Sequence, residues 1–159
     1  MGVVVFLLIF FAVVFFAPEM GGFFLEPPNF EPADPLKTPQ HIAPVWYMTP
    51  YYAILRAIPD KLMGVLAMFA SIGVWFFMPW LDRCEVKSIR YRGYLYKGAL
   101  ALFVVSFLIL GYLGSQPPSD RLVLLARVCS VIYFLFFLLM PIYTSLDKVK
   151  TVPERVTGP

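Results

Sequence analysis

Hydrophobic positions in this chain come in four long blocks rather than in periodic faces, and the charged residues are confined between them. Residues 1–18, 62–81, 98–119 and 128–146 contain no Asp, Glu, Lys or Arg. A helix needs roughly 20 apolar residues to cross about 30 Å of hydrocarbon, where lipid offers its backbone no hydrogen-bond partner. The last three blocks meet that length, and the pattern predicts spans over 62–81, 98–116 and 127–146. The first block is shorter, since about 16 residues make only about 24 Å of helix. No basic segment precedes it and no Ala-x-Ala site follows, as a signal peptide requires, and it has no polar face with which to lie on a membrane surface. Opening on Gly2-Val3-Val4-Val5, it reads as a span over 1–18 entered part-way, its first turn or two missing. The predicted architecture is all-α, an integral membrane protein of four transmembrane helices forming one domain over 1–159.

Between the first two spans lies an outer loop over 18–61. Pro18, Pro27, Pro28, Pro32, Pro35, Pro39, Pro44 and Pro50 forbid a long helix there and make it extended and stiff. Long ordered connections of this kind are uncommon unless they carry function. Residues 51–58, bounded by Pro50 and Pro59, predict a short helix near the outer surface, and Asp60 caps the span that follows. Pro117-Pro118 turns the chain, and Pro141 kinks the last span.

Composition agrees: 60% of residues are hydrophobic and 14% charged, against about a quarter charged in soluble domains. Charge sets the orientation. Eight basic and four acidic residues fall in 82–97 and the carboxy-terminal tail, against five and six on the opposite side. Lys/Arg-rich loops stay in the cytoplasm, which places 82–97 and the carboxy terminus inside and 18–61 outside. The net charge of +3 therefore reports topology and implies no nucleic-acid partner. Cys84 and Cys129 fall on opposite sides of the membrane and cannot pair. No span holds a central charge, which counts against a transporter. The sequence also lacks metal-ligand clusters, a nucleophile triad and a glycine-rich phosphate loop.

The stretch 41–68, HIAPVWYMTPYYAILRAIPDKLMGVLAM, resembles the loop between helices five and six of cytochrome b. That family carries Pro-Glu-Trp-Tyr, then Ala-Ile-Leu-Arg-x-Ile-Pro-x-Lys-Leu-x-Gly-Val-Leu. The matching positions are Pro44, Trp46 and Tyr47, then Ala53 to Arg56, Ile58, Pro59, Lys61, Leu62 and Gly64 to Leu66. Pro32 to Leu36, Thr38-Pro39 and His41-Ile42 match the family's approach to the motif. The likeness runs the length of the chain, as helices five to eight of the respiratory form. Val45 departs from the usual glutamate, in the Pro-Val-Trp-Tyr form that some proteobacterial members share.

The resemblance implies the carboxy-terminal part of the cytochrome b subunit of ubiquinol–cytochrome c reductase, in a bacterial inner membrane. The implied outer quinol-oxidation wall is Ile42, Pro44, Val45, Trp46, Tyr47, Met48, Tyr52 and Met68. Flat apolar and aromatic surfaces with a few polar groups suit a quinone ring. The implied partners are an amino-terminal heme-binding half, a Rieske iron–sulfur protein, a cytochrome c-type subunit, ubiquinol and lipid. Electrons would leave to the Rieske centre and to heme b. This chain alone should bind no cofactor, because its single histidine, His41, cannot supply the four axial ligands of two hemes. His41 is expected to be a hydrogen-bonded loop residue, Tyr51 a membrane-surface anchor and Arg56 an anchor of the short helix. The alternatives are a non-catalytic membrane scaffold, which Val45 favours, and subunit IV of a split cytochrome b complex, which the fourth span disfavours.

Overall fold

Apolar blocks and prolines decide where this chain is helical, and the computed structural model describes residues 1–22, 27–39 and 42–154. Among them lie seven α-helices and no strand: α1 Gly2–Phe16, α2 Thr49–Ala57, α3 Lys61–Gly73, α4 Met78–Leu81, α5 Tyr94–Ser115, α6 Asp120–Leu138 and α7 Met140–Leu146. The chain divides into two compact units, Met1–Ile42 and Ala43–Pro159.

In the first unit, α1 has 15 residues, all apolar or glycine and none of them buried. At about 1.5 Å per residue it is about 22 Å long, shorter than a bilayer core. Phenylalanines four apart stack along it, Phe6 on Phe10 and Phe11 on Phe15, with ring centroids 6.2 and 6.0 Å apart. Beyond Pro18 the described residues of this unit form only short turns, among them Met20–Gly22 and Pro27–Phe30. The Asp34 carboxylate accepts the Leu36 N–H at 2.9 Å while its carbonyl accepts the Lys37 N–H, a side-chain-closed turn. His41 lies outside the described residues.

The second unit holds three helical stretches long and apolar enough to cross a membrane: Lys61–Leu81, Tyr94–Ser115 and Asp120–Leu138, of 21, 22 and 19 residues. The first follows the prediction. It tightens to a 3₁₀ turn at Val74–Phe77, since Pro79 has no N–H for the Trp75 carbonyl and the Met78 N–H takes it instead. The second starts at Tyr94 rather than 98: nothing stops the helix short of Gly93, and Lys97 sits at its boundary turn. The predicted last span, 127–146, is in fact two helices. It begins at Asp120, directly after Pro117, Pro118 and Ser119, and breaks at Leu139 because Pro141 offers no N–H to the Phe137 carbonyl.

The three stretches meet on aromatic side chains. Phe103, Tyr133, Phe136 and Phe137 are buried together, Phe103 stacked on Phe136 at 4.5 Å and Trp75 edge-on to Phe137 at 5.1 Å. A polar thread crosses this layer. The Trp75 indole N–H donates to the Tyr133 hydroxyl (2.9 Å), which donates to the Ser71 carbonyl (2.6 Å). The Ser71 hydroxyl donates to the Met68 carbonyl at 2.6 Å. Among the described residues no buried side-chain nitrogen or oxygen lacks a partner, as a lipid solvent demands.

At the end away from α2, the loop after α4 is tied to the segment after α7. Arg92 forms a bidentate pair with Asp82, at 3.2 and 2.5 Å, and its Nε donates to the Val86 carbonyl. Burial disfavours the guanidinium charge, but the bonds to Asp82 outweigh it and hold the Arg92 pKa above its ordinary value. The Gly93 N–H donates to Asp147 and the Lys150 N–H to the Tyr91 carbonyl. The flanks, by contrast, are apolar and exposed: Leu62, Phe69, Leu108 and Leu138 are each more than 60% accessible. Apolar surface on this scale belongs against lipid or protein, not water.

Candidate functional site

Most of the residues singled out by the sequence, from Pro44 to Arg56, lie in α2 or on the segment that leads into it. The Pro44–Met48 segment enters it through a 3₁₀ turn, closed by the Met48 N–H donating to the Val45 carbonyl at 2.9 Å. The Thr49 hydroxyl donates to the Trp46 carbonyl at 2.6 Å and fixes the turn to the helix start. Pro50 stands in the first turn of α2, where its missing N–H costs nothing. Pro59 ends the helix by driving Ile58 to extended backbone, φ −98° and ψ 127°. Asp60 then caps α3, its carboxylate accepting from the Leu62 N–H at 2.9 Å.

Helix α2 is amphipathic. Thr49, Pro50, Ala53, Ile54 and Ala57 are buried on one face, which packs on α5, α6 and α3. It therefore bridges the ends of all three membrane-length stretches. Arginines hold it there. Arg56 donates to the carbonyls of Leu113 at 2.6 Å and Gln116 at 3.0 Å, groups left over where α5 ends. Arg127, from α6, donates to the Ala57 carbonyl at 2.8 Å, the equivalent leftover of α2. Backbone contact completes the seat. A Cβ on Gly114 would land on the Thr49 carbonyl, and one on Gly64 would lie 2.7 Å from the Leu55 carbonyl oxygen. Only glycine permits approaches this close.

The wall candidates of the second unit, Pro44, Val45, Trp46, Tyr47, Met48, Tyr52 and Met68, all keep accessible surface. Trp46 is 83% exposed, Tyr47 and Val45 are exposed, and Pro44, Met48, Tyr52 and Met68 are half-buried. Trp46 and Tyr47 pack edge to face at 5.7 Å. The Arg56 guanidinium stands 4.7 Å from the Tyr52 ring centroid and fixes that ring's orientation. Tyr51 packs edge-on against Phe107 of α5, with ring centroids 6.1 Å apart. Ile42 is exposed and belongs to the first unit.

The expected anchoring role of Arg56 is observed. Sequence reasoning assigned no contact to Arg127, Gly114, Gly64 or Thr49. A signal was present for Gly114: with Gly111 three residues before it on α5, it marks a helix face open to close backbone approach.

The single histidine, His41, cannot supply the four axial ligands that two bis-histidine hemes require. Among the described residues no group of three or more His, Cys, Asp or Glu is placed to hold a metal. The result is a helical membrane protein with exposed aromatic residues on the turn that leads into a tightly seated short helix. Residues 32–134 match the family described as "Cytochrome b(C-terminal)/b6/petD". Cytochrome b of Allochromatium vinosum is 60% identical over 99% of this chain, which spans 39% of that protein. Cytochrome b of Rhodospirillum rubrum is 45% identical over 99% of this chain and 38% of its own length. A solved structure, "Hyperthermophilic respiratory Complex III", superposes with a TM-score of 0.79 at 39% identity, covering 91% of this chain and 35% of that one. The chain belongs to the carboxy-terminal cytochrome b family, and spans about two fifths of the curated relatives' length.

Proposed function

We propose that this chain walls the outer quinol-oxidation site of a ubiquinol–cytochrome c reductase in a bacterial inner membrane, with quinol lying against Ile42, Pro44, Val45, Trp46, Tyr47, Met48, Tyr52 and Met68. The observation that carries the reading is the pairing of exposed aromatic rings with a buried, doubly arginine-anchored helix beneath them. Exposed rings on a soft element would serve as membrane anchors, whereas rings on a rigid seat can hold a flat ligand in one orientation. An amino-terminal half bearing the hemes, a Rieske protein and a cytochrome c-type subunit complete the assembly in this reading.

Quinol oxidation releases two electrons and two protons. The electrons pass to redox centres on the partner chains. The residues here bind the ring, exclude water and orient its hydroxyls. Valine neither accepts a hydrogen bond nor titrates, so Val45 is a neutral part of the wall. The tyrosine hydroxyls of Tyr47 and Tyr52 are this chain's polar groups for positioning the quinol oxygens. Its protons leave through them to water, or through a carboxylate or histidine of a partner.

Turnover of the assembled complex tests this. Tyr52→Phe removes one of several hydrogen bonds, about 1 kcal/mol, and should slow turnover about fivefold with assembly intact. Val45→Ala should be milder. A crippled Val45→Ala enzyme beside an unaffected Tyr52→Phe would show the roles reversed. Absence of any quinol binding or turnover would favour the second reading, a scaffold that kept the fold and lost the chemistry, for which Val45 speaks.

A further inference from the structure

We propose that Tyr133, buried in α6 and no part of the wall, is a positioning residue for the quinol ring: it fixes the spacing between α2, which carries Tyr52, and α3, which carries Met68. The role rests on the quinol-site reading of those two residues. Two parts of one side chain reach the two helices. The Tyr133 ring stacks on Phe107 of α5, with centroids 6.4 Å apart, and Phe107 packs edge to face with Tyr51, the residue before Tyr52 on α2. The Tyr133 hydroxyl donates to the Ser71 carbonyl of α3 at 2.6 Å and interacts electrostatically with the Tyr51 hydroxyl. Ser71 stands one turn from Met68, and its own hydroxyl donates to the Met68 carbonyl at 2.6 Å.

Apolar packing alone leaves such a spacing soft. Lipid tails are as apolar as the side chains between the helices, so membrane helices shift against one another at little cost unless a directional bond holds them. Tyr133 and Ser71 are both fully buried, so water does not compete for the bond between them. The hydroxyl is satisfied on its other side too, since the Trp75 indole N–H donates to it at 2.9 Å. A fully satisfied buried network specifies one arrangement of its elements; phenylalanine at 133 would fill nearly the same space and specify none. The bond acts two residues before α3 ends at Gly73 and gives way to the 3₁₀ turn, where the helix's own hydrogen-bond ladder runs out. A flat ring held against both helices loses contact with one of them when the spacing relaxes, which weakens binding before it touches the chemistry.

The complex, purified through a tag on this chain, is assayed for reduction of cytochrome c by decylubiquinol at saturating acceptor. Tyr133→Phe keeps the ring contacts and removes the hydroxyl. It should raise KM for decylubiquinol about fivefold, the effect of one interhelical hydrogen bond, and leave kcat within about twofold. Trp75→Phe disturbs the same core but leaves the Tyr133–Ser71 bond, so KM should stay unchanged however far the thermal midpoint falls. A merely structural role would move KM with stability in both variants. In a Met68→Ala background, Tyr133→Phe should raise KM by less than about twofold further, because the two residues act on one contact. An unmoved KM in Tyr133→Phe, a KM raised equally in Trp75→Phe, or full additivity with Met68→Ala overturns the proposal. So does failure of Tyr133→Phe to assemble, which would make the hydroxyl a determinant of the fold. A wild-type complex that neither binds nor oxidises decylubiquinol overturns the quinol-site reading itself, and the role of Tyr133 with it.

Discussion

Replacing Arg56 with methionine keeps a stem of similar length on α2 and removes the cation that ties the helix to the end of α5. Two hydrogen bonds are lost, at 2.6 and 3.0 Å to the carbonyls of Leu113 and Gln116, together with the stacking on Tyr52. Bonds to charged donors contribute about 1.5–3 kcal/mol each. Arg56 is half-buried at the membrane edge, so the lower figure applies, and the pair is worth about 3 kcal/mol. At a tenfold change per 1.4 kcal/mol, local opening of α2 should rise about 100-fold. Hydrogen exchange of the Ala53–Ala57 amides in nanodiscs measures this. Arg56→Lys, able to reach one carbonyl but not both in the fork geometry, should fall between the two. If exchange in α2 is unchanged in Arg56→Met, the arginine does not hold the helix and the argument for a rigid aromatic wall loses its foundation.

Three further outcomes are expected. Gly114→Ala drives a methyl into the Thr49 carbonyl and should cost about 1–3 kcal/mol, lowering the thermal midpoint more than Gly111→Ala, whose methyl would meet Pro50 Cγ at an ordinary 3.5 Å; the reverse order would contradict the seating of α2. Tyr133→Phe removes the hydroxyl shared by Trp75 and the Ser71 carbonyl and should destabilise by about 0.6–2 kcal/mol in denaturant titration, with the Trp75 fluorescence shifted; an unshifted spectrum would refute the thread across the aromatic layer. In intact cells, Cys84 should resist an impermeant thiol reagent added from the periplasmic side, and its modification there would invert the orientation inferred from charge.

Helix existence was legible because lipid makes it so. Any apolar block of membrane length must satisfy its own backbone, and three of the predicted spans appear at that length. Prolines punctuated the rest: Pro50 stands in the first turn of α2 and Pro59 ends it, and Asp60 caps α3 as read. Helix ends were less legible. The start of α5 was read four residues late because Lys97 counted as loop, although a long aliphatic stem lets lysine sit in a boundary turn. The break at Leu139 was anticipated from Pro141, but the division into α6 and α7 was not.

The sequence by itself determined the solvent, the helices and the family motif, since these depend on composition, spacing and residue identity along one segment. Only the tertiary structure decided how the motif is held. Arg56 reaches residues 57 and 60 positions away, Arg127 reaches back 70, and Gly114 matters only because Thr49 lies against it. No local pattern encodes which leftover helix carbonyl a distant arginine will find. That choice arises when three helix ends converge beneath one short amphipathic helix and every orphan backbone group at the junction must be satisfied away from water.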